Sequence, residues 1–290
     1  MKKYHPLNSL LLLSGLTMVL TAHNAYSEDQ ASATDSTVYK AQNPLTPMYS
    51  LPLNYTYHGG AADGGVSIGS LQPIIPIKFE NWNLINQLSL NFIGTTGNVT
   101  GIAELPQPYP GSGVAGLADT NFTSLITPAN PGSVSWGVGP TFVFPTDALI
   151  PDINDRRSRE LGSGKFSMGP AFMLVTQPKP WSLGLKVKQV WSVLGSQSRE
   201  SVSQMVVQPF INYNLADNWY LVSDMDMIAN WNYGNDQRWT VPVGGGVGKL
   251  FKIGKHGINT KVEGYYNPVR PDNAPEWSAN FTLQYLFVDQ

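Results

Sequence analysis

Residues 277–287 read WSANFTLQYLF, and every second residue from Trp277 is apolar: Ala279, Phe281, Leu283, Tyr285 and Phe287. Between them stand Ser278, Asn280, Thr282, Gln284 and Leu286. Side chains alternate faces along a strand, so one face here is apolar and the other mostly polar. An aromatic residue bounds the apolar face at each end. A soluble edge strand also alternates, but an aromatic-bounded apolar face points to a strand whose outer side meets lipid.

The N-terminus agrees with an exported chain. Met1 to Ser9 carries Lys2 and Lys3 and no acid, Leu10 to Leu20 is an apolar run, and Ala25-Tyr26-Ser27 places small residues at the −3 and −1 positions of a cleavage site. These features predict a secretory signal peptide over residues 1–27 and a mature chain from about Glu28. With no Cys near the site, a lipoprotein anchor is excluded. No later segment approaches the roughly 20 apolar residues of a membrane helix. The exported chain is then either soluble or a barrel, because only helices and closed barrels satisfy their backbone in lipid.

Composition narrows the function classes. The absence of Cys removes disulfides and thiolate chemistry. Without Lys2 and Lys3, the 18 basic residues fall to 16 against 20 acidic ones, a net charge of −4, which argues against a nucleic-acid partner. Charged residues make up 13%, few for a soluble surface. The 28 Gly, 22 Pro and 11% aromatics suit strands and turns.

Residues 28–47 are polar and aperiodic, and read as a flexible periplasmic N-terminal segment. Residues 48–290 divide into turn-punctuated stretches of barrel-strand length. The pattern predicts an all-β, antiparallel transmembrane β-barrel of about 12 strands, at 48–57, 70–79, 82–93, 116–127, 133–145, 164–177, 181–193, 203–215, 219–231, 238–253, 257–267 and 275–287. Short turns at Glu80-Asn81, 128–132, 178–180, 216–218 and 254–256 alternate with longer loops at 58–69, 94–115, 146–163, 194–202, 232–237 and 268–274. Outer-membrane barrels place short turns in the periplasm and long loops outside. On that orientation Trp82, Trp136, Trp181 and Trp219 fall near the inner border, and Trp191, Trp231, Trp239 and Trp277 near the outer one, as interfacial indoles prefer. Pro140, Pro170, Pro209 and Pro242 fall inside these strands, where each removes a ladder donor and suggests a bulge or break. Gly244-Gly245-Gly246 weakens the tenth strand in the same way.

Charges within the strands lie opposite the apolar faces. Lys186 and Lys188 oppose the Trp181–Trp191 face, Asp224 and Asp226 oppose Leu221 and Met225, and Lys261 and Glu263 oppose Ile258 and Val262. These six are the candidate lumen-lining residues. Either they tune the selectivity of a polar channel, or they pair across a narrow interior and block it. The 94–115 loop, rich in Gly and Pro and containing Tyr109, either folds inward as a constriction or stays outside. Asp152, Asp155, Arg156, Arg157, Arg159 and Glu160 form a mixed charge run on another outer loop, a solvated face or a contact for lipopolysaccharide phosphates. After residue 27 only His58 and His256 remain, without a Ser–carboxylate arrangement, so enzyme activity is not expected. No cluster has metal-ligand spacing, and no cofactor is expected.

Several runs occur together: Trp136-Gly137-Val138-Gly139-Pro140, Gly162-Ser163-Gly164-Lys165-Phe166, QPFINYNL over 208–215, RWTVPVGGGVG over 238–248, and Tyr265-Tyr266-Asn267 followed by Val269-Arg270-Pro271-Asp272. Over roughly residues 70–287 the chain resembles the bacterial outer-membrane β-barrel family named for a meta-pathway of phenol degradation, whose members often carry the labels "transporter" or "neuromedin U". Pro268 departs from the Val expected there. The resemblance implies an outer-membrane barrel in a Gram-negative envelope, embedded in lipid and lipopolysaccharide, and passage of small solutes, aromatic or hydrophobic ones among them. It carries over no catalytic residues. The reading that combines these lines is a channel or transport-related barrel for passive passage of small molecules. The alternatives are a closed structural barrel whose outer loops bind lipopolysaccharide or a partner, and a soluble periplasmic β-sandwich. The oligomeric state is not encoded in any of these signals.

Overall fold

The structure is a computed structural model that describes residues 37–107, 113–146, 161–253 and 256–287. The expected signal peptide, Tyr109, the charge run at 152–160 and the C-terminal Val288-Asp289-Gln290 lie outside the described residues.

Alternating side chains and turn-forming residues give an all-β, antiparallel sheet closed on itself. Its strands are β1 (Ser50–Ala61), β2 (Gly64–Leu71), β3 (Ile74–Lys78), β4 (Trp82–Thr95), β5 (Val114–Leu117), β6 (Thr120–Pro128), β7 (Val134–Phe144) and β8 (Lys165–Thr176). They continue through β9 (Trp181–Gly195), β10 (Ser203–Asn214), β11 (Trp219–Asp224), β12 (Met227–Asn230), β13 (Trp239–Ile253), β14 (His256–Val269) and β15 (Trp277–Leu286). Three pairs, β2–β3, β5–β6 and β11–β12, are single staves interrupted at 72–73, 118–119 and 225–226, so the wall has twelve staves. β15 pairs with β1 from Ser50↔Leu286 to Gly59↔Trp277, and β9 pairs with β10, which leaves no free edge in the ring.

The last strand behaves as its alternation requires. Trp277, Phe281 and Leu283 are exposed on the outward face, beside Tyr55 and Leu53 of β1 and Val262 and Tyr266 of β14. The inward row is Ser278, Asn280, Thr282 and Gln284. Trp82 and Trp136 meet edge-on at 6.0 Å near the inner end, as do Trp231 and Trp239 at 6.0 Å near the outer end. Trp181 packs on Tyr213, and Trp277 on Tyr57. The outward surface is therefore an apolar band between two aromatic belts.

Two local expectations are corrected. The 58–69 stretch is not a loop: β1 runs to Ala61 and β2 starts at Gly64, because Val66 and Ile68 turn inward and are buried. Pro140, Pro170 and Pro209 do not break their strands. Pro140 and Pro170 face each other in register, and the paired ladders instead skip Ser124 and Leu125 opposite Gly139 and Pro140, where the proline has no N–H to give. Pro242 does coincide with a register shift, between Val241↔Val269 and Val243↔Tyr266.

Of the expected flexible segment, residues 28–36 lie outside the described residues, and residues 37–47 are ordered against the wall. Residues 37–41 form a single helical turn, and residues 37–47 pack on the inner end of the wall. Val38 is buried with Leu250 and Leu286, and Leu45 with Leu125, Met173, Val175 and Phe210. Gln42 and Asn214 exchange side-chain bonds at 2.8 and 3.2 Å, and Asn43 donates to Ser135 Oγ at 3.3 Å. Two apolar anchors inside a polar stretch are enough to hold it.

On the inward face, Phe210 stands opposite Gly184 and its ring fills the space a side chain would need there. Gly184→Val is expected to force this ring out and cost about 1–3 kcal/mol, the usual price of overpacking. Compared with wild type, the folded, fast-migrating gel band should be lost at a lower temperature; an unchanged temperature would contradict the packing described.

Candidate functional site

The barrel encloses a cavity of about 400 Å³. Ala41, Gln42 and Pro44 of the N-terminal segment border its inner end. Its outer end is bordered by Gly101, Ile102, Ala103 and Glu104, so the loop after β4 folds inward. That loop is anchored by its own apolar residues: Val99, Ile102 and Leu105 are buried with Val66, Ile68, Ile93 and Leu161. Polar bonds stitch it to neighbours around the mouth. Thr240 Oγ1 donates to Gly101 O at 2.9 Å, Thr100 Oγ1 to Asp272 O at 2.8 Å, and Asn230 Nδ2 to Pro106 O at 2.8 Å.

The wall between these two caps divides into two sectors. On β15, β1, β2, β4, β6 and β7 the inward side chains are largely amides and hydroxyls that bond across neighbouring strands. Thr282 Oγ1 donates to Asn54 Oδ1 at 2.8 Å, Ser70 Oγ to Asn91 Oδ1 at 2.8 Å, and the Thr123 and Thr141 hydroxyls meet at 2.8 Å. The charges lie on β9 to β14.

All six residues singled out from the sequence point inward, but they fall into two groups. Lys261 Nζ donates to Asp224 Oδ2 at 2.7 Å and pairs with Glu263 Oε2 at 3.0 Å. The other carboxylate oxygens are also occupied: Gln208 Nε2 donates to Asp224 Oδ1 at 2.9 Å, and Tyr265 OH to Glu263 Oε1 at 2.6 Å. Asn280 Nδ2 adds a second bond to Glu263 Oε2 at 3.2 Å. The network is closed, and the Glu263 side chain is completely buried.

β13 makes this network possible. It lies between β11 and β14, so Asp224 must reach over it to Lys261. The inward residues of β13 at that height are Gly244, Gly246 and Gly248, paired with Tyr265, Glu263 and Lys261. A side chain at Gly248 would collide with the Tyr220 ring, whose hydroxyl donates across the same gutter to Asn259 Oδ1 at 2.7 Å. The glycine run that looked like a weak strand in the sequence is thus a channel for cross-strand bonds.

The second group is Lys186, Lys188 and Asp226. Lys186 Nζ reaches Gln87 Oε1 on β4 at 3.3 Å, spanning the lumen. Among the described residues neither Lys188 nor Asp226 has a side-chain hydrogen bond or ion pair. Glu104 joins them. Burial raises its carboxyl above the ordinary range, opposed by the nearby charge of Lys188. Sequence reasoning missed Glu104 because a lone acid in a Gly- and Pro-rich loop looks solvated. The available signal was its setting, NVTGIAEL over 98–105, where Val99, Ile102 and Leu105 recur every third residue.

Among the described residues no group of three or more His, Asp or Glu side chains is arranged to hold a metal ion. No protein-family model matches the sequence, and no curated protein sequence matches it. The fold is similar to the crystal structure of an outer membrane channel from Pseudomonas putida F1, with a TM-score of 0.59 at 15% identity, covering 83% of this chain and 96% of that one. Looser likenesses include the CymD monoaromatic hydrocarbon channel, at TM-score 0.46 and 10% identity over 87% of this chain and 92% of that one. A Pseudomonas aeruginosa FadL homologue follows at TM-score 0.40 and 11% identity, over 84% of this chain and 92% of the other. The likeness to the Pseudomonas putida F1 channel structure establishes a shared barrel fold.

The two charge groups differ in what they do for stability. Lys261→Met leaves two carboxylates facing each other without their cation and is expected to destabilise by about 3–5 kcal/mol. Lys188→Met breaks no bond and should cost far less. Denaturant unfolding followed by tryptophan fluorescence measures both, and equal losses would contradict the division.

Proposed function

We propose that this protein is a Gram-negative outer-membrane barrel that passes small solutes passively through its lumen. The observation that carries the reading is the combination of an apolar outward band between aromatic belts with a polar, charged cavity inside the same wall. Lipid is the surrounding partner this surface fits, since so much exposed apolar area on a soluble protein would drive association. The solute is small, aromatic or hydrophobic ones being admitted as far as the cavity's Phe210, Met173 and Ile74 provide contacts. Lys186, Lys188, Asp226 and Glu104 set ion preference, because their charges are free to act on what enters. Asp224, Lys261 and Glu263 chiefly hold the wall.

A second reading, a closed structural barrel whose outer loops contact lipopolysaccharide or a partner, is favoured by the two caps and by the Lys186–Gln87 bond across the lumen.

Planar-bilayer recording separates the two. Purified, folded protein should give small discrete conductance steps in KCl, and deleting residues 37–47 should enlarge them. Lys188→Gln and Asp226→Asn should move the reversal potential under a salt gradient in opposite directions. Folded protein that never conducts, with or without residues 37–47, would sink the channel reading and leave the structural one.

A further inference from the structure

Of the six charged side chains that border the cavity, Asp224 and Lys261 pair with each other, which sets Glu104, Lys186, Lys188 and Asp226 apart. Lys261 shows what a satisfied lumen charge looks like here, with two carboxylates in contact. The four are different. Lys186 has one long bond to a neutral amide, Glu104 is met by its own backbone N–H, and among the described residues Lys188 and Asp226 have no side-chain hydrogen bond or ion pair. Yet they sense one another: besides the neighbouring Asp224, Asp226 lies in the fields of Lys188, Glu104 and Lys186, and Glu104 in that of Lys188. Charges close enough to interact but held out of contact leave room between them. Asp226 is exposed to the cavity and the other three are half-buried beside it, so a solute in the cavity can reach them and supply charged partners.

The wall explains the gap. Lys186 and Lys188 stand on β9, whereas Asp226 occupies the interruption between β11 and β12, with β10 in between. Two strand spacings put the backbones about 10 Å apart. Lys188 is in register with Val206, and Val206 with Ile228, so an apolar row runs beside the charges. Glu104 descends from the inward loop, with Ile102 of the same loop also on the cavity.

Two cations and two anions sum to zero. A simple cation or anion entering here would meet as much repulsion as attraction. A solute carrying both an ammonium and a carboxylate would satisfy both pairs, and its apolar body would lie against Val206, Ile228 and Ile102. We propose that the lumen holds a binding site for a small zwitterion of the apolar α-amino-acid type, its carboxylate taken by Lys186 and Lys188 and its ammonium by Asp226 and Glu104. This rests on the lumen being open to solutes, and it replaces a purely hydrophobic cargo with an amphiphilic one. The cavity volume lies in the range of about 300–1,000 Å³ common for small-molecule sites.

The probes are L-valine, L-valinamide, which keeps the ammonium without the carboxylate, and isovalerate, which keeps the carboxylate without the ammonium. Equilibrium dialysis of radiolabelled L-valine against the purified full chain in detergent should show saturable binding, with either half-probe competing at least about tenfold more weakly, the scale of one lost charge-assisted bond. Lys188→Gln should weaken L-valine by a similar factor while sparing L-valinamide, and Asp226→Asn should weaken it while sparing isovalerate. The heat-modifiable gel shift confirms that each variant is folded. L-valine binding no better than its halves, or unchanged in both folded variants, overturns the site. KCl conductance measured on the same preparations keeps the readings apart: conductance without L-valine discrimination removes the site and leaves the channel, and L-valine binding without conductance removes the channel and leaves the site.

Discussion

Pairing between the first and last strands is the constraint on which the rest of the structure depends. Ser50 to Gly59 meet Trp277 to Leu286 in one uninterrupted antiparallel register. In lipid an open sheet edge would leave a row of backbone donors and acceptors without partners, each costing several kcal/mol. Closing the ring satisfies them and fixes which side of every strand faces out. Once Tyr55 and Phe281 share the outward row, Asn54 and Thr282 must share the inward one. A slip of one residue would turn the aromatic belt into the lumen and the amides into lipid.

Closure then forces a polar interior into a narrow space. The wall handles this in two ways. Over β15, β1, β2, β4, β6 and β7 it uses neutral amides and hydroxyls, which satisfy one another locally and need no counter-charge. Over β9 to β14 it uses charges, and there the glycines of β13 let the partners meet over an intervening strand. Gln208, Asp224, Lys261, Glu263, Tyr265 and Asn280 form a closed set with every carboxylate oxygen occupied. Lys188 and Asp226 remain without a direct partner among the described residues, on the wall between the two caps, and Glu104 of the outer cap also borders this cavity.

Much of this was legible from the chain. The alternation in 277–287, the turn spacing and the tryptophan positions predict an all-β barrel of twelve staves, and the inward placement of Lys186, Lys188, Asp224, Asp226, Lys261 and Glu263 follows from parity alone. Parity says which face a residue takes, not what it touches, so the division of the six into bonded and free sets was out of reach. The caps were hidden for a different reason. Residues 37–47 and 98–105 are short and without strand periodicity, and their burial depends on single apolar residues, Val38 and Leu45 in one and Val99, Ile102 and Leu105 in the other. Prolines were legible in part. Pro140 and Pro170 face outward in neighbouring strands, and each sits at a local gap in one of its ladders, as a missing donor requires, without ending its strand.

Alternation about a closed wall is the claim on which lumen, belts and site all stand. The chain contains no cysteine, so single cysteines placed in turn at 278 to 284 give an unambiguous spin-label map in bilayers. Accessibility to dissolved oxygen, which concentrates in lipid, should be high at 279, 281 and 283 and low at 278, 280, 282 and 284. A uniform profile along the strand, or one with the two sets exchanged, would contradict the barrel described.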